Sequence, residues 1–477
     1  MSMLEDIKLQ DFENGSADIG SGEELRFGQI RHIIYVANPI MPSSQSLSVF
    51  IPEQYLSGSE VNGWNIHTAP IFMPNRVLGY MPGYEDAPGI DPMTHGTNSI
   101  AAALQRGFVV VSPAERGRGM KDDAGHNIGV APADIVDLKA AVRFIRSHVA
   151  PVAGDPDHII TNGTSAGGAM SALLGCTGNH PDYLPYLEEI GAEDQRDDVF
   201  ACSCYCPIVD LEHADMAYEW EFRELDNWSR MDGIPPEDGS LDISKFTFVK
   251  KSGTLSYEER EISDALAERF IPYLNSLSLV NERRKPLTLQ KDGSGSFRDF
   301  IESHVLASAQ TELDRGVDIE SQDGVSSWLY VRNGRAASMD WEGFVRFRTR
   351  MKRPPAFDGL DMDTPETQLF GSRDVEFRHF SDFCRSYSGG AMAEPEQVKM
   401  MNPLNYIGDD RATMARHFRI RHGSMDSDTS IAVSNILYAK LAAAGADADI
   451  AHPWGIPHAG DYDLPEMFDW VEKVCRR

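Results

Sequence analysis

The sequence predicts an α/β fold, a mostly parallel sheet flanked by helices, with a large domain inserted late in the strand order. Three observations predict it. From residue 66 onward short apolar runs alternate with stretches of helical spacing; one apolar run passes into a helix through a Gly-x-Ser-x-Gly turn; and the rhythm breaks off near residue 210 and resumes near residue 417. Alternating strand and helix patterns imply a parallel sheet, because a parallel crossover needs a helix-length connection that packs back onto the sheet.

Residues 69–73 and 107–112 are continuous apolar runs of strand length, the pattern of strands buried on both faces. Residues 134–148 place Ile135, Leu138, Val142 and Ile145 three and four apart, which predicts a helix. Residues 158–160 predict a short strand, 169–174 a small-residue helix that Gly175 ends, and 199–209 another buried strand. Residues 210–401 are rich in charged and aromatic side chains, with helical stretches at 263–279 and 297–314 and breaks at 293–296 and 352–355. Then 417–420 predict a strand, 429–444 a long helix, 447–452 the last strand and 464–474 a closing helix. The expected division is residues 1–209 with 402–477 as the domain carrying the chemistry, and 210–401 as an inserted domain. Insertions late in such a sheet sit over the C-terminal strand ends, where ligands bind, which makes this one a candidate lid.

A chain of 477 residues that is 42% hydrophobic can bury a large core. Its 44 basic and 73 acidic residues give a net charge of -29, which argues against nucleic-acid phosphate or an anionic membrane surface as partner. Met1-Ser2-Met3-Leu4-Glu5-Asp6 offers neither a basic nor an apolar signal region, and no apolar run reaches membrane-spanning length, so the expected location is cytoplasmic. Six cysteines are too few for a disulfide scaffold; Cys202, Cys204 and Cys206 have the period of a strand, not the CxxC spacing of a zinc site. They are expected to be buried thiols, with no metal.

The Gly163-Thr164-Ser165-Ala166-Gly167 turn between strand and helix is the nucleophile elbow of α/β-hydrolases, where small residues let the chain turn tightly enough to present the serine. Serine needs a base to take its proton, and the base needs a carboxylate to fix its tautomer. In this fold the order is Ser, Asp or Glu, His, each at the C-terminal end of a strand. Asp426 follows the strand at 417–420 and His458 follows the last strand, so both fit. Asp428 is an alternative acid two residues on; Asp461 and Asp463 come after the histidine and break the order, and His422 precedes the acid. Asp426 and Asp428 are equally placed to cap the following helix. An oxyanion hole needs two backbone N–H groups, expected from Ala166 and from Gly79 in the loop after the strand at 69–73. These steps require no cofactor.

Three blocks in order are more specific than the pentapeptide: Gly163 to Ala169; Arg421-His422-Gly423 with Asp426, Asp428 and Thr429; and Pro453-Trp454 with Pro457-His458, Gly460, Asp461 and Tyr462. Together they resemble bacterial tannases, the esterases of galloyl groups, over most of the chain. The resemblance implies a triad of Ser165, Asp426 and His458. It also implies a galloyl grip by Asp428 and by a lysine and a glutamate of the lid, Lys352 in Met351-Lys352-Arg353-Pro354-Pro355 and Glu366 in Thr364-Pro365-Glu366. The implied substrates are gallate esters and hydrolysable tannins. Read without the resemblance, Lys352 belongs to a solvated basic run at 346–353 and Glu366 is a helix N-terminal charge. A feruloyl or general carboxylesterase on the same scaffold is the alternative; a serine peptidase or a non-catalytic relative is a weaker one.

Overall fold

The computed structural model describes residues 6–20, 22–92, 94–234 and 245–476, so most of the N-terminal segment read above, residues 1–5, lies outside the described residues. Thirteen strands follow in chain order among the described residues: β1 (Glu13–Asp18), β2 (Glu24–Ile34), β3 (Ser46–Pro52), β4 (Ile71–Pro74), β5 (Val109–Pro113), β6 (Ile159–Thr164), β7 (Ala201–Tyr205), β8 (Asn227–Ile234), β9 (Thr247–Thr254), β10 (Leu329–Arg332), β11 (Arg335–Met339), β12 (His417–Arg421) and β13 (Asp447–Ala451). Nine of them form one sheet in the order β1-β2-β3-β5-β4-β6-β7-β12-β13. The stretch from β5 through β4, β6, β7 and β12 to β13 is parallel throughout.

The predicted apolar runs became strands because both of their faces are covered. Every residue of β4, β5 and β7 is buried, and so is every residue of the flanking helix Ala133–Phe144. β7 and β12 are direct neighbours, with Cys204 opposite Ile420, although more than two hundred residues separate their ends in sequence. Among the described residues that excursion adds no strand to the main sheet; its own strands pair as the hairpins β8–β9 and β10–β11. The fold is the expected α/β-hydrolase sheet with a large inserted lid.

Three local differences have physical causes. Strands β1 to β3 were not anticipated; they add an antiparallel extension in which β1 exposes most of its length, so its place is set by backbone pairing and not by an apolar pattern. Gly175 does not end its helix, which runs Ala166–Cys176; a Cβ there would stand 2.4 Å from the Cys202 sulfur and 2.7 Å from the Phe418 ring. Its smallness serves packing against β7 and β12. The long C-terminal helix starts at Ile431, because the Ser430 side chain accepts from Ala432 N–H and caps it there.

Candidate active site

Ser165 stands between β6 and the helix Ala166–Cys176 with φ 60 and ψ -118. A non-glycine residue held in such a conformation costs about 1–3 kcal/mol and persists where its surroundings impose it. Here Ser165 N–H donates to Tyr205 O at 2.9 Å and Ser165 O accepts from Ile208 N–H at 3.4 Å, so β7 and its loop hold the elbow from both sides. Gly167 is obligatory for close approach: a Cβ on it would meet Asn75 Oδ1 at 2.5 Å and Val77 O at 3.0 Å. Through that approach Gly167 N–H donates to Val77 O at 3.1 Å, tying the loop after β4 to the start of the elbow helix.

The loops after β12 and β13 are pressed together in the same way. A Cβ on Gly423 would lie 2.1 Å from Ile456 O. Within that contact His458 Nδ1 meets Asp426 Oδ2 at 2.7 Å, while Asp426 Oδ1 accepts the N–H groups of Asp428 at 2.9 Å and Thr429 at 3.3 Å. The carboxylate therefore caps its own turn with one oxygen and orients the imidazole with the other. Burial pushes the Asp426 carboxyl up, but the His458 and His422 rings outweigh it and hold it well below the carboxylate range. Burial likewise opposes charge on His458; Asp426, with Asp428 behind it, overrides this and raises the imidazole well above the ordinary histidine value.

His458 Nε2, the nitrogen that would serve the serine, lies 3.9 Å from Asp428 Oδ2 and 3.9 Å from Cys206 Sγ. Among the described residues no hydrogen bond joins it to the Ser165 hydroxyl, as is common where catalytic contacts tighten only on substrate binding. Neither the Ala166 nor the Gly79 N–H has a hydrogen-bond partner among the described residues, so both are available to an incoming oxygen. Gly79 has φ +53, and its carbonyl accepts from Arg118 Nε at 2.6 Å.

Lys352 Nζ donates to Asp428 Oδ2 at 2.9 Å and lies over the Phe357 ring at 4.2 Å. Glu366 joins them electrostatically: burial raises its carboxyl, Lys352 lowers it, and Asp428 adds to the rise. Lys352 and Asp428 are thus paired beside His458, and Glu366 is close enough to feel both charges. Glu366 is also a first-turn acid of the helix Pro365–Leu369. The basic run, however, is not a solvated face. Arg346 and Arg353 at its ends are exposed, but Arg348 and Arg350 between them are fully buried against Glu221 and Glu219.

Those buried pairs, not anticipated from the sequence, tie the insertion's own helix Leu211–Phe222 to residues 348–350, and from there the insertion reaches the site: Glu221 accepts from Ser430 Oγ at 2.7 Å and Ile431 N–H at 3.0 Å. Arg348 also donates to Asp426 O, and Ser427 Oγ donates to Arg348 O at 3.0 Å. Tyr218 OH donates to Ser427 O at 3.0 Å and accepts the N–H groups of Met351 and Lys352 at 3.1 and 3.0 Å. One phenol therefore sets Lys352 against the loop that carries Asp428. Cys206 beside the imidazole was also missed; it extends the alternation of Cys202 and Cys204 one step past β7.

The other acids have structural duties. Asp461 Oδ1 accepts from Asn162 Nδ2 at 2.9 Å, and Asp463 accepts from Tyr205 OH and Arg419. All six cysteines are free thiols, five of them buried. Two groups bring ligand-type atoms within 4.8 Å of one another among the described residues: Cys206, Asp426 and His458, and Asp210, Glu212 and His213. In the first, Asp426 and His458 are bonded to each other; in the second, Asp210 already accepts from Asn402, Tyr273 and His213. Among the described residues no helix is long and apolar enough to cross a membrane.

A serine held in a strained elbow, an imidazole bound to a buried carboxylate, and backbone N–H groups without partners are the parts that acyl transfer uses. Comparison with known proteins agrees. The BD-FAE family model matches residues 86–219. A curated esterase of Mycobacterium tuberculosis, LipQ, is 36% identical over 88 residues, 18% of this chain and 20% of its own; the match thus spans about a fifth of that relative. The crystal structure of tannase from Lactobacillus plantarum superposes with a TM-score of 0.93 at 40% identity, covering 98% of this chain and 99% of that one. A tannin acyl hydrolase in complex with ethyl gallate superposes with a TM-score of 0.88 at 40% identity, covering 98% of both chains.

Proposed function

From the premise that the chain belongs to the family of bacterial tannases, we propose that it hydrolyses galloyl esters through a Ser165, His458, Asp426 triad and an acyl-enzyme. His458 Nε2 takes the Ser165 proton as Oγ attacks the ester carbonyl, and the oxyanion is held by the N–H groups of Ala166 and Gly79. Collapse breaks the ester C–O bond, and the imidazolium gives its proton to the departing alcohol. A water molecule then repeats the sequence against the acyl-serine, with His458 as base, to release gallate and restore Ser165. Residues 210–401 act as the lid over this chemistry.

The observation that supports the substrate reading is the Lys352–Asp428 pair beside His458, with Glu366 electrostatically coupled to both. Three adjacent phenolic hydroxyls offer donors to two carboxylates and an oxygen to an ammonium. An acid lacking them gains none of these bonds while still displacing water from the charged groups, which disfavours it by up to about 10⁴-fold in kcat/KM. Lys352→Met and Glu366→Gln should therefore cut kcat/KM for methyl gallate steeply and leave that for methyl benzoate almost unchanged. Equal losses on both esters would refute the grip.

The acid limb of the rate profile follows from His458. Protonated, it cannot accept the serine proton, and its raised pKa places that loss above the ordinary histidine value of about 6.5. The kcat/KM of the wild type on methyl gallate should fall as pH drops through this higher value. Asp428→Asn removes a carboxylate that favours the imidazolium, so its limb should move to lower pH. A limb that stays in place would show that Asp428 does not act on His458.

A further inference from the structure

A second imidazole stands beside the Asp426 carboxylate, near the same oxygen that receives His458. His422 is 0% exposed, as is Asp426. Its Nδ1 meets Ser434 Oγ at 2.9 Å; its Nε2 has no hydrogen-bond partner and lies 3.8 Å from Asp426 Oδ2, the oxygen that receives His458 Nδ1. A buried polar atom without a partner is costly, and it is kept where something nearby uses it.

Resting on the proposed esterase reading, we propose that His422 is a positioning residue: its Nε2–H is the fixed dipole that holds the Asp426 carboxylate on its bearing toward His458. The tautomer follows from the neighbours. Burial drives the His422 pKa down to about 4, so the ring is neutral and carries one N–H. A bare Nε2 lone pair would face an anionic oxygen, so the proton sits on Nε2 and Ser434 donates its hydroxyl to Nδ1. The charged and titratable groups around it are consistent with this. Arg348 and His458 both oppose a charge on His422, Asp426 and Asp428 favour one less strongly than burial disfavours it, and His452, held by His422 O at 3.0 Å, is itself driven neutral by burial.

Two effects follow. Oδ2 accepts from His458 and lies in the field of a second N–H, and the 3.8 Å contact, too long for a hydrogen bond at rest, has room to shorten once His458 becomes an imidazolium. The dipole also draws charge from Asp426, so it moderates the upward pull of that carboxylate on His458.

His422→Leu removes the dipole, and His422→Gln restores an amide N–H where Nε2–H stood. On methyl gallate the leucine variant should lose about ten- to a hundredfold in kcat with KM unchanged. Its acid limb should move up by about half a unit, because Asp426 then pulls harder on His458. The glutamine variant should recover most of the rate and the limb position. Ser434→Ala, which frees the tautomer without opening the core at residue 422, should shift both in the same direction by less; it keeps the test decisive if the leucine variant fails to fold. Equal loss in the leucine and glutamine variants, a rise in KM in place of a fall in kcat, or an unmoved limb in both leucine and alanine variants would overturn the proposal. Failure of the esterase reading is distinguishable, since it shows in the wild type's own rate on methyl gallate and not in these ratios.

Discussion

Ser165→Ala is expected to lower kcat on methyl gallate by about 10⁴–10⁶-fold, leaving the residual rate that N–H donors and binding supply without a nucleophile. The thiol beside the imidazole is no substitute. The Cys206 thiol lies 3.9 Å from His458 Nε2, but burial pushes its pKa up and its sulfur is turned to Ala459 O at 3.5 Å. Gallate binding should survive, because Lys352, Asp428 and Glu366 do not touch the serine side chain. Initial-rate assay of gallate release, with calorimetric titration of gallate into the variant, checks both halves. Substantial retained activity would remove Ser165 from the mechanism.

Asp426→Asn should cost about 10⁴-fold in kcat at almost unchanged stability. The asparagine oxygen can still accept the N–H groups of Asp428 and Thr429, so the turn keeps its cap. Its amide then points N–H groups at His458 Nδ1, which must become an acceptor, and the single ring proton moves to Nε2. An imidazole in that tautomer cannot take the serine proton. Asp428→Asn should cost far less at saturating substrate, which separates the acid of the triad from its neighbour two residues on. A similar loss in both variants would mean that the carboxylates act through total charge and not through the geometry of one oxygen.

The parallel half of the sheet was legible because burial on both faces forces continuous apolar runs, as in β4, β5 and β7, and because the crossover helices carry their own period. β1 and the hairpin β8–β9 were not legible for the converse reason. Every residue of β9 is exposed, so its side chains record no core and only cross-strand hydrogen bonds define it. In the site, Ser165, Asp426 and His458 could be ordered along the chain because each follows a strand that the pattern revealed. The convergence of Lys352 and Glu366 on Asp428 was not derivable from spacing; it came from resemblance to a family. The reason is visible in Tyr218 and Arg348, whose long-range bonds bring the insertion onto the 426–431 loop and leave no local periodicity behind. His422 was set aside because it precedes the acid in sequence, and its place beside Asp426 appears only when β12 and its loop are folded.

The most direct test of the account is the wild type's kcat/KM on methyl gallate, methyl ferulate and p-nitrophenyl acetate, measured side by side at one pH above the His458 limb. The proposed grip, an ammonium and two carboxylates set against three phenolic hydroxyls, predicts methyl gallate as the best of the three. Methyl ferulate has a methylated hydroxyl and a longer acyl chain, and it should be turned over far more slowly. Faster turnover of ferulate or of the acetate ester would contradict the galloyl reading and leave a serine esterase of another specificity.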